Sequence, residues 1–167
     1  LYLDLAVGLV EQGWFSSSPD IYVPEVFRTP GYPAYLALFQ WAGTQSVFWP
    51  MLIQEIIYLA VVGVFYLGTR ALLDLGLARA VLIFLLIEPG GIAYPKLILS
   101  DTLNLLFIAS AVFALGLHLK RRGQAASSYW LIAAGLLLGC AAWVRPAAFL
   151  LPVIFAPVLL IAGRLRP

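Results

Sequence analysis

Residues 102–122, TLNLLFIASAVFALGLHLKRR, decide the fold class of this chain. From 102 to 119 the stretch has no side chain that is charged at neutral pH, and Lys120, Arg121 and Arg122 follow directly. A helix needs about 20 mainly apolar residues to cross a bilayer, so the stretch predicts a membrane-spanning helix. Because basic residues favour the cytoplasmic end of a span, we expect this basic end to lie inside.

The composition of the whole chain agrees with a membrane protein. Of its 167 residues, 63% are hydrophobic and 11% are charged, whereas about a quarter of the residues of a soluble domain are charged. The single cysteine, Cys140, lies in an apolar run, so neither a disulfide framework nor a cysteine-based metal site is expected. Membrane topology explains the few basic residues, and nucleic acid is therefore not expected as a partner.

Further apolar segments extend the pattern to an all-α membrane protein with about five spans. We expect the spans near residues 47–69, 80–95, 102–119, 125–144 and 146–163. The second span is interrupted at 88–91, EPGG, where a proline removes a backbone donor and two glycines loosen the next turn. This helix is therefore predicted to kink or to end near Glu88.

The first part of the chain, residues 1–46, forms a separate region ahead of the bundle at 47–167. It contains two short helical patterns, 1–13 and 33–43, with aromatic residues suited to a membrane surface. We therefore expect two interfacial helices on the exoplasmic side.

The charged residues assign a side to each span end. Seven of the ten basic residues fall at alternate span ends, which requires the interrupted segment 80–95 to cross once. The seven predicted to be cytoplasmic are Arg70, Arg79, Lys120, Arg121, Arg122, Arg164 and Arg166. The exoplasmic ends then hold a group of mixed charge: Arg28, Glu55, Glu88, Lys96, Asp101 and Arg145.

Two interpretations of this exoplasmic group stay open from the residues alone. Ionisable side chains at membrane depth are costly and usually face a cavity or a partner, which favours a site. Alternatively, Asp101 satisfies the free N–H groups of a helix start, and Lys96 and Arg145 reach lipid head groups. A divalent metal would need several oxygen ligands, so Glu88 and Asp101 are candidates only if they converge.

A compact motif precedes the first long apolar run. Residues 28–33, RTPGYP, combine an arginine, two prolines, a glycine and a tyrosine. Prolines that flank a glycine are typical of a stiff, bent loop. The motif is therefore predicted to be a loop that links the two interfacial helices, either as a connector or as one wall of a site.

Three stretches occur in an order typical of one family of membrane enzymes. They are LYLDLAVGLVEQGWF…FRTPGYPAYLALF (1–39), YPKLILSDTLNLLFI (94–108) and LLLGCAAWVRPAAFLLP (136–152). Together they resemble the polytopic GT-C-type glycosyltransferases, above all the bacterial dolichyl-phosphate-mannose-protein mannosyltransferase-like group, which includes the aminoarabinose transferases. The resemblance covers nearly the whole chain. It implies a fragment of a longer protein whose first catalytic acid precedes Leu1.

The resemblance also implies a reaction. A sugar would pass from a polyprenyl-phosphate donor to a lipid, glycan or protein acceptor at the outer face of a bacterial inner (plasma) membrane. Asp101, which stands where the group usually has glutamate, would take or position the proton of the acceptor. The substrate-binding residues would be Arg28, Tyr32, Lys96 and Arg145. No cofactor is implied with certainty; a divalent metal stays open, with Glu88 and Asp101 as candidate ligands.

Two other functions are compatible with the residues. Transporters often use paired broken helices near the bilayer midplane, but EPGG at 88–91 has no counterpart in the sequence. A non-catalytic membrane subunit would share the fold, because a fold by itself does not determine a function. An Asp or Glu shortly before Leu1 would favour the transferase over the subunit.

Overall fold

The computed structural model describes residues 2–16, 23–44, 46–124 and 127–164, and within them the regular elements are helices. The α-helices are α1 (Tyr2–Glu11), α2 (Gly31–Trp41), α3 (Phe48–Leu72), α4 (Leu75–Ile87), α5 (Pro89–Ala93), α6 (Asp101–Lys120), α7 (Ser127–Val144) and α8 (Leu151–Arg164). Short 3-10 turns occupy Tyr94–Lys96 and Pro146–Leu150. Helices α3, α6 and α7 are long and apolar enough to cross a membrane, which confirms the all-α membrane class.

Helices α3 and α6 run parallel, and α7 runs antiparallel to α6. At one end of the bundle the Lys120 ammonium donates to the backbone carbonyl of Ala71, so α3 and α6 finish together. At the other end the Gln54 side chain of α3 donates to the carbonyl of Leu97, 2.8 Å away and just before α6. We call these the Lys120 end and the Asp101 end of the bundle.

Helices α6 and α7 make an extensive contact, and small side chains take part in it. Ala114 of α6 clusters with Ala134 of α7, and further buried alanines lie on the two helices: Ala109, Ala111, Ala141 and Ala142. In a membrane the association of helices depends on close packing, and small side chains let two backbones approach. This close antiparallel packing places the end of α7 beside the start of α6.

The interrupted segment at 88–91 breaks as predicted. Helix α4 ends at Ile87, Glu88 is extended (φ −68°, ψ 120°), and Pro89 begins the short helix α5. The Glu88 carboxylate accepts the backbone N–H groups of Gly90 (2.9 Å) and Gly91, so it caps the new helix. Because α3 and α6 are parallel, residues 75–96 return the chain along the bundle from the Lys120 end.

The apolar helices outside the three long ones are shorter. They are Leu75–Ile87 and the stretch Pro146–Pro157, which begins with a 3-10 turn and continues into α8. The arrangement of five spans, with 80–95 and 146–163 among them, therefore stays a prediction.

The motif RTPGYP differs from the predicted loop. Residues 31–33 form the first turn of α2, and only Arg28 and Thr29 precede its N-cap, Pro30. Proline is tolerated in a first helical turn because the N–H groups there have no partner within the helix. Gly31 starts the helix where a Cβ atom would lie 2.6 Å from the carbonyl oxygen of Trp143, so α2 approaches the end of α7 closely.

A buried polar network joins α2, α3 and the segment that leads to α6. Gln54 is buried, accepts the hydroxyl of Tyr32, and donates to the carbonyls of Pro95 (2.9 Å) and Leu97 (2.8 Å). A buried amide is costly unless its hydrogen bonds are made, and these contacts use both ends of the Gln54 side chain. The network therefore fixes the backbone just before Asp101.

Candidate functional site

The Asp101 end of the bundle contains a cleft of about 230 Å³, which we call the Asp101 cleft. Its walls come from four separate parts of the chain: the start of α1, the turn before α2, the start of α6 and the end of α7 with the residues that follow it. Side chains that line it include those of Tyr2, Phe27, Arg28, Asp101, Arg145 and Pro146. Three of the predicted site residues, Arg28, Asp101 and Arg145, therefore share one cleft.

Asp101 and Arg145 form an ion pair across the cleft. Asp101 is the first residue of α6, and Arg145 follows the last residue of α7, so the antiparallel packing of these helices brings the two together. Arg145 is extended (φ −146°, ψ 124°), as expected for a residue before proline. The side chains are 39% and 44% exposed, respectively, so both remain accessible from the cleft.

Arg28 is placed by Glu25, to which the sequence analysis assigned no role. The Glu25 carboxylate accepts the backbone N–H groups of Phe27 (2.8 Å) and Arg28 (3.2 Å). Its other oxygen lies 3.6 Å from a terminal guanidinium nitrogen of Arg28, and the Glu25 side chain is only 5% exposed. An acid three residues before a base was the signal in the sequence that could have pointed to this contact.

An aromatic ring supports the same arginine. The guanidinium carbon of Arg28 lies 5.8 Å from the ring centre of Tyr2, within the range of a cation–π contact. Arg28 thus has three contacts: its backbone N–H donates to Glu25, its guanidinium is paired with Glu25, and the ring of Tyr2 on α1 lies beside it. These contacts hold the Arg28 side chain at the cleft.

The cleft offers two guanidinium groups to an anion. Each is paired with a carboxylate, Arg145 with Asp101 and Arg28 with Glu25, so an anion would bind by competing for these groups. The start of α6 adds the partial positive charge of a helix N-terminus. Guanidinium groups bind the oxygens of phosphate or carboxylate in a fork of two hydrogen bonds. A phosphate or carboxylate is thus the ligand chemistry that this arrangement fits.

Two predicted substrate-binding residues lie elsewhere. Tyr32 is fully buried against Tyr2 and Tyr35, and its hydroxyl is bonded to Gln54. Burial raises the pKa of the Tyr32 hydroxyl well above its usual range, so the group stays a donor at neutral pH. Lys96 is exposed in the turn Tyr94–Lys96 and is not among the residues that line the cleft. The structure gives Tyr32 a packing role and leaves Lys96 outside the cleft.

The two candidate metal ligands have separate partners. The oxygens of Glu88 accept the amides of Gly90 and Gly91, and Asp101 is paired with Arg145. Among the described residues no three His, Cys, Asp or Glu side chains lie close enough together to hold a metal ion. The described residues therefore do not form a metal site at the cleft.

Comparison of the chain with protein-family models, with curated proteins and with solved structures gives no match. The chemistry of the Asp101 cleft therefore has to be argued from its own residues.

Proposed function

We propose that the Asp101 cleft is the site of a membrane glycosyltransferase that moves a sugar from a polyprenyl-phosphate donor to an acceptor at the outer face of a membrane. The observation that carries the proposal is the meeting of Arg28, Asp101 and Arg145 in one cleft at the end of an apolar helix bundle. A donor with a phosphate and a long apolar chain matches cationic groups set at the end of membrane helices. The ordered motifs that resemble the GT-C-type glycosyltransferases support the same reaction.

The ion pair suggests how donor binding prepares the base. Asp101 is paired with the guanidinium of Arg145. A donor phosphate that reaches Arg145 competes for the same N–H donors, because phosphate and carboxylate are bound in the same geometry. Asp101 is then released toward the acceptor. Binding of the donor and availability of the carboxylate are thereby coupled.

The transfer step then needs a base and a stabilised leaving group. The acceptor hydroxyl or amine attacks the anomeric carbon, its proton passes to the Asp101 carboxylate, and the bond from that carbon to the phosphate oxygen breaks. The bond electrons leave with the lipid phosphate. Arg28 and Arg145 stabilise the negative charge that develops on it, since both guanidinium groups border the cleft.

A non-catalytic membrane subunit is the second candidate, and the same ion pair favours it. The Asp101–Arg145 contact joins the start of α6 to the end of α7 and could act only as a clamp between helices. A clamp needs no ligand and no turnover. The two candidates therefore differ in whether the cleft binds a phosphate.

The proposal is tested with membranes that contain the protein and a panel of radiolabelled polyprenyl-phosphate sugars. We expect labelled sugar to pass to an acceptor and free polyprenyl phosphate to accumulate, with membranes lacking the protein as the control. If no donor in the panel is bound or consumed, the transferase proposal is contradicted and the subunit remains.

The proposed side of the membrane is a separate prediction. In a Cys140→Ser chain, Lys96→Cys should react with an impermeant thiol reagent added to intact cells, because the Asp101 end is expected to be exoplasmic. Arg121→Cys at the Lys120 end should react only after permeabilisation. Reaction of Arg121→Cys in intact cells would reverse the assignment.

A further inference from the structure

The turn at the edge of the Asp101 cleft exposes two large apolar side chains. Val26 is 77% exposed and Phe27 is 86% exposed, the highest value among the large apolar side chains of the described ranges. They stand directly between Glu25 and Arg28, the pair that orders the turn. Phe27 also lines the cleft, so the turn that carries this apolar pair borders the cleft.

The hydrogen bonds within the turn keep Val26 and Phe27 exposed. The Glu25 carboxylate holds the backbone N–H groups of both Phe27 and Arg28, which fixes the turn backbone between them. The Glu25 side chain is itself buried under the turn. The same contacts that aim Arg28 at the cleft therefore keep Val26 and Phe27 away from the protein interior.

Apolar side chains also stand at a second part of the cleft. Pro146 lines the cleft, and Phe149 and Leu150 at the far end of the same 3-10 turn are exposed. This turn continues directly into the apolar helix α8. Exposed apolar side chains therefore lie next to the charged cleft in two places, the turn 25–28 and the 3-10 turn after α7.

We infer that the turn 25–28 inserts Val26 and Phe27 into the hydrocarbon of the bilayer at the rim of the Asp101 cleft. The cleft lies at the ends of α6 and α7, two helices fit to cross a membrane, so its rim lies at the level where hydrocarbon meets head groups. Removal of apolar side chains from water is favourable, and at this level the acyl chains of lipids can cover them. The turn would then open the cleft sideways to lipid head groups.

This inference does not depend on the proposed transfer reaction. Its consequence concerns access: a lipid in the membrane could bring its head group to Arg28 and Arg145 without leaving the bilayer. The position of the turn relative to the bilayer decides the matter, whatever reaction the cleft performs.

The test places a nitroxide spin label at the turn in lipid vesicles. The variants Phe27→Cys and Val26→Cys are made one at a time in a Cys140→Ser chain, because Cys140 is exposed and would also react. Each labelled protein is reconstituted in phosphatidylcholine vesicles. The accessibility of the label to molecular oxygen, which dissolves in hydrocarbon, is compared with that to a water-soluble nickel chelate.

The matched control is Gln124→Cys, an exposed turn position at the Lys120 end whose backbone is hydrogen-bonded to Arg121 and Ser127. We expect the oxygen-to-nickel accessibility ratio at positions 26 and 27 to exceed that at 124 several-fold. A ratio equal to that of the control would place the turn in water, and exclusion of both reagents would mean that protein covers it. Either result overturns the inference. Because Val26 and Phe27 contribute little to packing, both variants should fold.

Discussion

An Asp101→Asn variant is expected to lose sugar transfer by about 10²- to 10⁴-fold, the range typical of a missing general base, at unchanged stability. The amide keeps the shape of the carboxylate and can still hydrogen-bond to Arg145, but it cannot accept a proton at neutral pH. The measurement is the initial rate of transfer at equal amounts of protein, together with the melting temperature in detergent.

The matched control for this variant is Asp74→Asn. Asp74 also stands at a helix start, where its carboxylate accepts the N–H of Leu77 at 2.8 Å, and it lies at the Lys120 end away from the cleft. Asparagine caps a helix about as well as aspartate, so Asp74→Asn should change neither activity nor stability. If Asp101→Asn behaves like this control, Asp101 is only a helix-end residue and the proposed base is wrong.

Arg145→Lys separates the two roles of the ion pair in the same assay. Lysine keeps the charge but cannot make the two-pronged contact of a guanidinium with phosphate, so we expect transfer to fall clearly. A clamp between helices needs mainly the opposite charge and would tolerate lysine. Near-normal transfer by both Asp101→Asn and Arg145→Lys would therefore show that the two residues only join helix ends and that the roles assigned to them in catalysis are wrong.

Gly31→Ala is expected to reduce stability by about 1–3 kcal/mol, the usual cost of forcing extra atoms into a packed contact. The added Cβ would lie 2.6 Å from the carbonyl oxygen of Trp143 and 2.9 Å from the Cα atom of Val144. Backbone atoms cannot rotate aside, so α2 has to move away from α7. Unfolding in detergent, followed by circular dichroism, measures this effect.

The same shift should also impair the cleft, because Arg28 precedes α2 and Arg145 follows α7. Gly135→Ala is the matched control: no described atom lies within 4 Å of the Cβ it would add. Alanine favours a helix interior over glycine by up to about 1 kcal/mol, so this control should be unchanged or slightly more stable. Equal stability of the two variants would show that the contact of α2 with α7 is not close.

The sequence by itself determined the features that depend on local chemistry. A run of apolar residues such as 102–119 is stable in a membrane only as a helix, since the backbone must satisfy its own hydrogen bonds there. The break at 88–91 follows from the geometry of proline and glycine, and the structure places the end of α4 at Ile87, beside the predicted position. The candidates Asp101 and Arg145 were found because charges are rare in such a chain.

Local chemistry did not predict the structure correctly where one motif fits two conformations. Residues 28–33 have the composition of a loop, yet Pro33 and Gly31 fit a first helical turn equally well, and packing against α7 selects the helix. Tyr32 was predicted to bind substrate because the motif RTPGYP resembles a loop that borders the site in the GT-C-type glycosyltransferases. Its position on α2 turns it inward to Gln54, and no local pattern reveals that direction.

The tertiary structure alone decided that Arg28, Asp101 and Arg145 meet. These residues are far apart in the chain, and their meeting depends on the antiparallel packing of α6 with α7 and on the approach of α2 to the end of α7. It also depends on Glu25, whose carboxylate organises the turn through hydrogen bonds to the backbone. Such contacts follow from how whole helices fit together, because the direction of a side chain is set by the packing of its helix and not by its neighbours in the sequence.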